Sequence, residues 1–394
     1  MKIFSYSKQT ISNNDIQSVV KTLKSNFLTQ GPTIEKFENK VKQFVNSKYA
    51  VAVNSATSGL HLSCLSLGLK KNEYLWTVPN SFVASSNCAL YCGANVDFVD
   101  INSKTFNIDE LLLEKKLLKT AKKNLPKILV VVHFAGEPVN LNKIYKLSKK
   151  FKFKIIEDAS HALGSKFQNN KIGNCKFSSA TVFSFHPVKP ITTGEGGIIT
   201  TNNFQFYKKL KSLRSHGIEK QNTKKIQNKL WFYEQKYLGF NYRMNDIEAS
   251  LGLSQLKNIN SFLKKRNDLA LRYKKKLHTL PLKFQAINPK NYSSYHLFTI
   301  NLLEKNHIKN YNKIFNFLRQ NNIFVQKHYI LIYKHPFYRK LLGKLYLENS
   351  ESFSNSVISL PLYPTLTFKE QDFIIKKIFT VLKKFNGFKQ QNSK

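Results

Sequence analysis

Between about residues 20 and 255, short runs of β-branched and aromatic residues alternate with longer stretches of helical spacing. Seven runs are strand-sized: Tyr49–Val53, Tyr74–Val78, Val96–Ile101, Ile128–His133, Phe153–Glu157, Ala180–Phe185 and Gly197–Thr201. Several are apolar at consecutive positions rather than at every second one, which predicts a largely parallel sheet covered on both faces. After the first run, Leu60, Cys64 and Leu67 fall at i, i+4 and i+7, one face of a helix, and Gly68 is placed to end it. Strand, loop and helix in repetition define an α/β layer architecture, with crossovers long enough to hold helices.

The texture changes near residue 256. Leu256 to Leu277 reads as one extended helix. A strand near His296–Asn301, a helix near Ile308–Gln320 and a strand near Ile323–Lys327 follow. Ser359-Leu-Pro-Leu-Tyr-Pro364 reads as a turn before a last helix, Thr367 to Phe385. The expected organisation is a large domain with an N-terminal arm (1–255), a smaller α+β domain (256–388) and a frayed tail (389–394). No repeat with a period of 20–50 residues is visible.

Composition narrows the class. A chain of 394 residues that is 42% hydrophobic and 22% charged buries a sizeable core, which excludes wholesale disorder and a minimal disulfide scaffold. No stretch approaches the roughly 18 apolar residues of a membrane span; the longest, Ile128 to Ala135, contains His133. The opening residues, MKIFSYSKQT, lack the apolar region of a secretory signal. Cys64, Cys88, Cys92 and Cys175 form no CxxC pair and no framework, as expected of a cytoplasmic protein. No histidine spacing recommends a metal site.

The net charge of +40 invites a nucleic-acid reading, but only six of the 63 basic residues are arginine. Nucleic-acid readers favour arginine for its bidentate fork, and these lysines are scattered along the whole chain. A solvated, compositionally biased surface is the better account, and neither a nucleic-acid nor a membrane partner is expected.

Four segments carry candidate chemistry. Lys189 lies between Pro187 and Pro190, after a buried strand and before the glycine-rich Thr192–Gly197 turn. A lysine held rigidly in a partly desolvated site has a lowered pKa and attacks carbonyls. Asp158 ends a buried strand, where open α/β sheets bind ligands, although such a residue also serves as a helix cap. His161, three residues on, reads by itself more often as a satisfied structural histidine. Asn54-Ser-Ala-Thr-Ser-Gly59, with Thr57 and Ser58, offers hydroxyls and amides at a helix start, suited to a phosphate or to ordinary capping. Phe82 follows a strand end and is a candidate either for the core or for stacking. Together these meet the needs of pyridoxal phosphate: a Schiff-base lysine, a carboxylate for the pyridine nitrogen, a phosphate cup and an aromatic face.

Longer stretches resemble one family. FLTQGP (Phe27–Pro32), VNSATSGLHL (Val53–Leu62), ALYCGA (Ala89–Ala94), HFAG (His133–Gly136), IIEDASHALGS (Ile155–Ser165), FSFHPVKPITTGEGG (Phe183–Gly197), LRSHGI (Leu213–Ile218) and LGFNYRMNDIEASLGLSQL (Leu238–Leu256) resemble the DegT/DnrJ/EryC/StrS nucleotide-sugar aminotransferases. The similarity runs from about Phe4 to the last helix. It implies the type I, aspartate-aminotransferase-like fold. Lys189 would then carry the cofactor, Asp158 would hold its ring nitrogen, and His161 would lie near its phenolic oxygen. Thr57, Ser58 and Ser184 would bind the phosphate, and Phe82 would stack on the ring. Asn241 would reach the phosphate from a second subunit, which implies a homodimer with shared active sites.

HPVKPITTGEGG and SLPLYP (Ser359–Pro364) look closest to the pseudaminic-acid branch, which moves an amine from L-glutamate to C4 of a UDP-linked 4-keto-6-deoxy-N-acetylhexosamine. Another nucleotide sugar, or position C3, is the alternative. Relatives that carry out dehydration replace the lysine with histidine, so Lys189 favours transamination. A Gly-Asp-Glu turn common in relatives is Lys71-Asn-Glu here, a change expected to stay on the surface.

Overall fold

The seven strands expected from the first part of the chain form a single sheet in the computed structural model, which describes residues 2–219 and 231–385. In chain order they are β1 (Tyr49–Val53), β2 (Tyr74–Thr77), β3 (Asn95–Phe98), β4 (Pro126–Val132), β5 (Lys154–Asp158), β6 (Ala180–Ser184) and β7 (Gly197–Thr201). Their order across the sheet is β1-β7-β6-β5-β4-β2-β3, and β7 alone runs against its neighbours. Helices Ala56–Ser66, Ala84–Leu90, Glu110–Lys119 and Leu141–Phe151 fill the crossovers.

Both faces of the sheet are buried, which is why its strands read as continuous apolar runs. Successive side chains of a strand leave on opposite sides. Ala50, Ala52, Leu129, Val131 and Ile155 join one apolar cluster, while Val51, Val53, Ile128, Val130 and Ile156 join another. A third cluster holds the later part of the chain. It gathers Leu269 to Leu277, helices Tyr311–Gln320 and Phe368–Phe385, and an antiparallel sheet of Leu282–Phe284, Phe298–Leu302 and Val357–Leu360. Leu331 to Tyr338 leave this unit and pack on the large sheet. No helix among the described residues is long and apolar enough to cross a membrane.

Several expectations need correction. Leu256–Leu277 is not one helix: Asp246–Lys257 and Ile259–Leu277 meet at Asn258. The expected Ile308–Gln320 helix likewise breaks at Asn310, into Lys305–Lys309 and Tyr311–Gln320. Asparagine competes for backbone hydrogen bonds and favours helix ends over interiors. The strand expected at Ile323–Lys327 keeps only Ile323–Phe324, parallel to Phe4–Ser5, because the Val325 N–H turns back to the Ile323 carbonyl. Ser359 and Leu360 finish a strand before the turn begins.

Helices Asn13–Leu23 and Pro32–Val45 lie outside the expected elements, although a Ser12–Asp15 capping box and a proline in the first turn announce them. The altered turn before β2 stays at the surface, with Asn72 supplying its left-handed residue at φ 67°. The tail 389–394 lies outside the described residues.

Candidate active site

Asp158 closes β5, opposite Val132 of β4 and Val182 of β6, at the carboxyl end of the parallel strands. It is only 5% exposed, yet it lines a cavity of about 870 Å³. Its Oδ2 accepts from the Ser85 hydroxyl at 2.6 Å. Its Oδ1 accepts from the Ser160 hydroxyl at 2.6 Å and the Ser160 N–H at 3.1 Å. These hydroxyl and amide donors fix the plane of the carboxylate.

Lys189 stands on the hairpin between β6 and β7. That hairpin is braced across its base: the Phe185 carbonyl accepts from the Thr193 N–H and the Thr192 hydroxyl, and the Ser7 hydroxyl donates to the Val188 carbonyl. The half-buried amine faces the same cavity as Asp158 and forms no hydrogen bond among the described residues. Desolvation pulls its pKa down to about 8, with the Asp158 charge opposing the shift. Roughly a tenth of the amine is then neutral at pH 7, against a few parts in ten thousand for an ordinary lysine.

The third wall is the start of helix Ala56–Ser66. Ser55 caps it by accepting the Ser58 N–H at 3.1 Å, which leaves the Ala56 and Thr57 N–H groups with no acceptor inside the helix. Gly197, the first residue of β7, permits this close approach. A Cβ there would stand 2.6 Å from the Ala56 nitrogen and the Ser55 carbonyl carbon. Thr57 and Ser184 line the cavity. Ser58 does not, because its hydroxyl turns to the Asn54 side-chain oxygen at 2.6 Å. Phe82 is at the cavity, 60% exposed and so not a core residue. Asn241 is exposed beside Ser215 and lies outside the cavity of its own chain.

His161 is buried at the cavity wall, its Nδ1 3.2 Å from the Ala135 N–H and its Nε2 3.0 Å from the Tyr329 hydroxyl. Tyr329, His328 and Tyr6 also line the cavity and had not been singled out. His328 is fixed by the Ser359 hydroxyl at 2.8 Å, and burial beside Lys189 pushes its pKa down to about 3. SLPLYP is thus a brace for the site. Ser359 holds His328, the Leu362 N–H donates to the Tyr6 carbonyl, and the Leu362 carbonyl accepts from the buried Arg266.

Pyridoxal phosphate fits these residues. An unbonded, nucleophilic amine awaits an aldehyde, a fixed carboxylate suits a protonated pyridine, and free amides at a helix start suit a phosphate. The molecule is therefore a pyridoxal-phosphate enzyme of the aminotransferase class. Residues 9–379 match the DegT/DnrJ/EryC1/StrS aminotransferase family, and the chain belongs to it.

A Campylobacter jejuni UDP-4-amino-4,6-dideoxy-N-acetyl-beta-L-altrosamine transaminase is 39% identical, covering 97% of this chain and 98% of its own. Among solved structures, Helicobacter pylori PseC, an aminotransferase involved in the biosynthesis of pseudoaminic acid, has a TM-score of 0.89. It is 35% identical, over 98% of this chain and 100% of that one. The PLP form of a putative sugar aminotransferase from Streptococcus pneumoniae, Spr1654, also has a TM-score of 0.89. It is 27% identical, over 98% and 100% of the two chains.

Proposed function

We propose that this enzyme transfers the amino group of L-glutamate to C4 of a UDP-linked 4-keto-6-deoxy-N-acetylhexosamine, a step in pseudaminic-acid and surface-glycan synthesis. The reading rests on one observation above all: the lowered-pKa amine of Lys189 shares a cavity with the hydrogen-bonded carboxylate of Asp158. The names of the whole-chain relatives support the substrate.

The division of labour follows from each group's chemistry. Bound pyridoxal phosphate supplies an electron sink that makes the donor's Cα–H acidic. Asp158 keeps the ring nitrogen protonated, and its serine donors hold the carboxylate for that contact. Lys189 would hold the cofactor through its aldehyde carbon, and its amine, when free, would move the donor's Cα proton as general base and then general acid. Thr57, Ser184 and the helix-start amides grip the phosphate, and Phe82 offers an aromatic face at the cavity mouth. Ser58 acts one step back, by holding Asn54.

The same reading makes the enzyme a cytoplasmic homodimer in which Asn241 reaches the phosphate of the neighbouring subunit. Residues 1–255 hold the cofactor, and 256–388 form the small domain, with Leu331–Tyr338 folded back over the large sheet. Purified protein given L-glutamate and the UDP-4-keto sugar should release 2-oxoglutarate in equal amount to a 4-amino sugar nucleotide, followed by mass spectrometry. No amine incorporation, with the substrate intact, overturns the assignment.

A further inference from the structure

Arg266 is a guanidinium with 1% of its surface exposed and no carboxylate opposite it. Its partners among the described residues are all neutral. Nη1 donates to the Leu362 carbonyl at 2.8 Å and the His296 carbonyl at 3.2 Å, and Nη2 donates to the Ser7 hydroxyl oxygen at 3.4 Å. Nε has no partner among them. Burial pulls its pKa down to about 10, which leaves it charged at neutral pH. Holding an unpaired charge away from water is unfavourable, and apolar packing alone does not call for it.

The contacts of Arg266 close a ring beside the Lys189 hairpin. The Leu362 carbonyl is bonded to Arg266, and the Leu362 N–H donates to the Tyr6 carbonyl. Ser7, the next residue, brings the ring back to Arg266. With its oxygen facing the guanidinium, the buried Ser7 hydroxyl gives its one proton to the Val188 carbonyl at 2.9 Å. A charged donor on a hydroxyl strengthens the bond which that hydroxyl gives. Val188 immediately precedes Lys189, and Pro187 and Pro190 stiffen the chain on either side of the two.

We propose that Arg266 is a positioning residue for the transamination, acting through the Ser7 hydroxyl to hold the Val188 carbonyl and so to set where Lys189 presents its amine. The proposal deepens the transaminase reading above and rests on it. Lys189 moves the donor's proton only if its amine is held within reach, and a displacement of about 1 Å can cost about 10²-fold in rate. Arginine suits this role and lysine does not, since only the planar fork spans the Leu362 carbonyl and the Ser7 hydroxyl at once.

Two readouts on the holoenzyme test this. One is the loss of the visible band on adding L-glutamate, followed by stopped flow. The other is hydrogen exchange of the peptide covering residues 185–193, followed by mass spectrometry. Ser7→Ala should lower the maximal rate of band loss about tenfold or more and speed exchange in the hairpin severalfold, with the half-saturating glutamate concentration unchanged within about twofold. Ser7→Thr keeps the hydroxyl and should restore both. Arg266→Lys keeps the charge but not the fork and should match Ser7→Ala, and the double variant should be no worse than either single change. Two unconnected structural roles would instead give losses that add. Wild-type rate and exchange in Ser7→Ala, equal behaviour of Ser7→Ala and Ser7→Thr, or additive losses in the double variant overturn the proposal and leave the transaminase reading intact. If Arg266→Lys does not fold, Arg266→Met, which removes the buried charge at similar length, takes its place in the same comparison. A wild-type band that L-glutamate does not bleach overturns both.

Discussion

Glu157 and Asp158 are consecutive residues at the end of β5, and their carboxylates leave the sheet on opposite faces into unrelated environments. Glu157 Oε2 meets His133 Nε2 at 2.9 Å, and its Oε1 accepts from Thr181 and Ser178. Asp158 faces the cavity, held by Ser85 and Ser160. One strand end thus carries an acid that binds the fold together and another that faces the chemistry.

That split predicts opposite phenotypes for two near-isosteric changes. His133 Nδ1 accepts from the Val139 N–H, so its proton sits on Nε2, aimed at Glu157. Glu157→Gln either sets an amide donor against that N–H or gives up the hydroxyl contacts, at about 1–3 kcal/mol. Urea denaturation should register the loss while the visible cofactor band survives. Asp158→Asn keeps the shape and removes the charge opposite the ring nitrogen. It should cost at least ~10²-fold in turnover with little change in the denaturation midpoint. The reverse pattern would exchange the roles of the two acids.

The pKa of Lys189 makes a kinetic prediction. The neutral amine attacks the aldehyde, so cofactor-free protein should recapture pyridoxal phosphate faster as pH rises, levelling off above a midpoint of about 8 rather than near 10.5. Stopped-flow absorbance in the visible range reads this directly. The sign for stability follows from the same shift. With its folded pKa below the unfolded value, the amine disfavours the cofactor-free fold at low pH, and that penalty is relieved as pH climbs through 8 towards 10.5. Lys189→Arg keeps the charge but forms no bond to the aldehyde, and should lose both the visible band and turnover. A midpoint near 10.5 would refute the desolvated setting.

The large sheet was legible because burial on two faces writes itself as apolar runs. Lys189 and Asp158 were legible because each stands where such a strand ends. What the sequence hid is mostly a matter of contact order. Tyr329 meets His161 from far along the chain, at the end of a segment that reads as an ordinary alternation. The other ring nitrogen of His161 meets a backbone amide at Ala135, invisible in any side-chain pattern. The Ser58 hydroxyl bonds four residues back to the Asn54 side-chain oxygen, a local contact that the run of small hydroxyl residues does not reveal. Asn258 and Asn310 interrupt helices whose apolar spacing continues through them.

Two glycines of the lysine hairpin separate steric from conformational need. Gly194 has φ 86° and nothing within 4 Å of a Cβ, so Gly194→Ala should cost about 1–2 kcal/mol of backbone strain and leave cofactor affinity close to normal. Gly197 has no such φ, but its Cβ would collide with the Ser55–Ala56 backbone. Gly197→Ala must move the helix start, and the phosphate site with it. Equilibrium dialysis should show pyridoxal phosphate bound at least about tenfold more weakly in Gly197→Ala alone. Equal affinities in the two variants would remove the helix start from the phosphate site.

Glu137 ties the loop after β4 to the later part of the chain and should make the fold's stability depend on pH. Its Oε1 accepts from the Asn288 N–H at 3.1 Å and the Asn291 amide at 2.8 Å, and its Oε2 has no partner among the described residues. Burial pushes its pKa up to about 7, against the two hydrogen bonds and Lys274, which favour the charged form. A carboxyl whose folded pKa exceeds its unfolded value holds its proton more tightly in the native state. Its contribution is therefore complete below about 4.5 and is lost as pH rises towards 7. Comparing wild type with Glu137→Gln cancels the other titrating groups. The difference in unfolding free energy should favour wild type most near pH 5, shrink as pH rises, and become flat above about 8. A difference that grows with pH would mean that Glu137 is held as the charged partner of Lys274, and that its two asparagine bonds outweigh its burial.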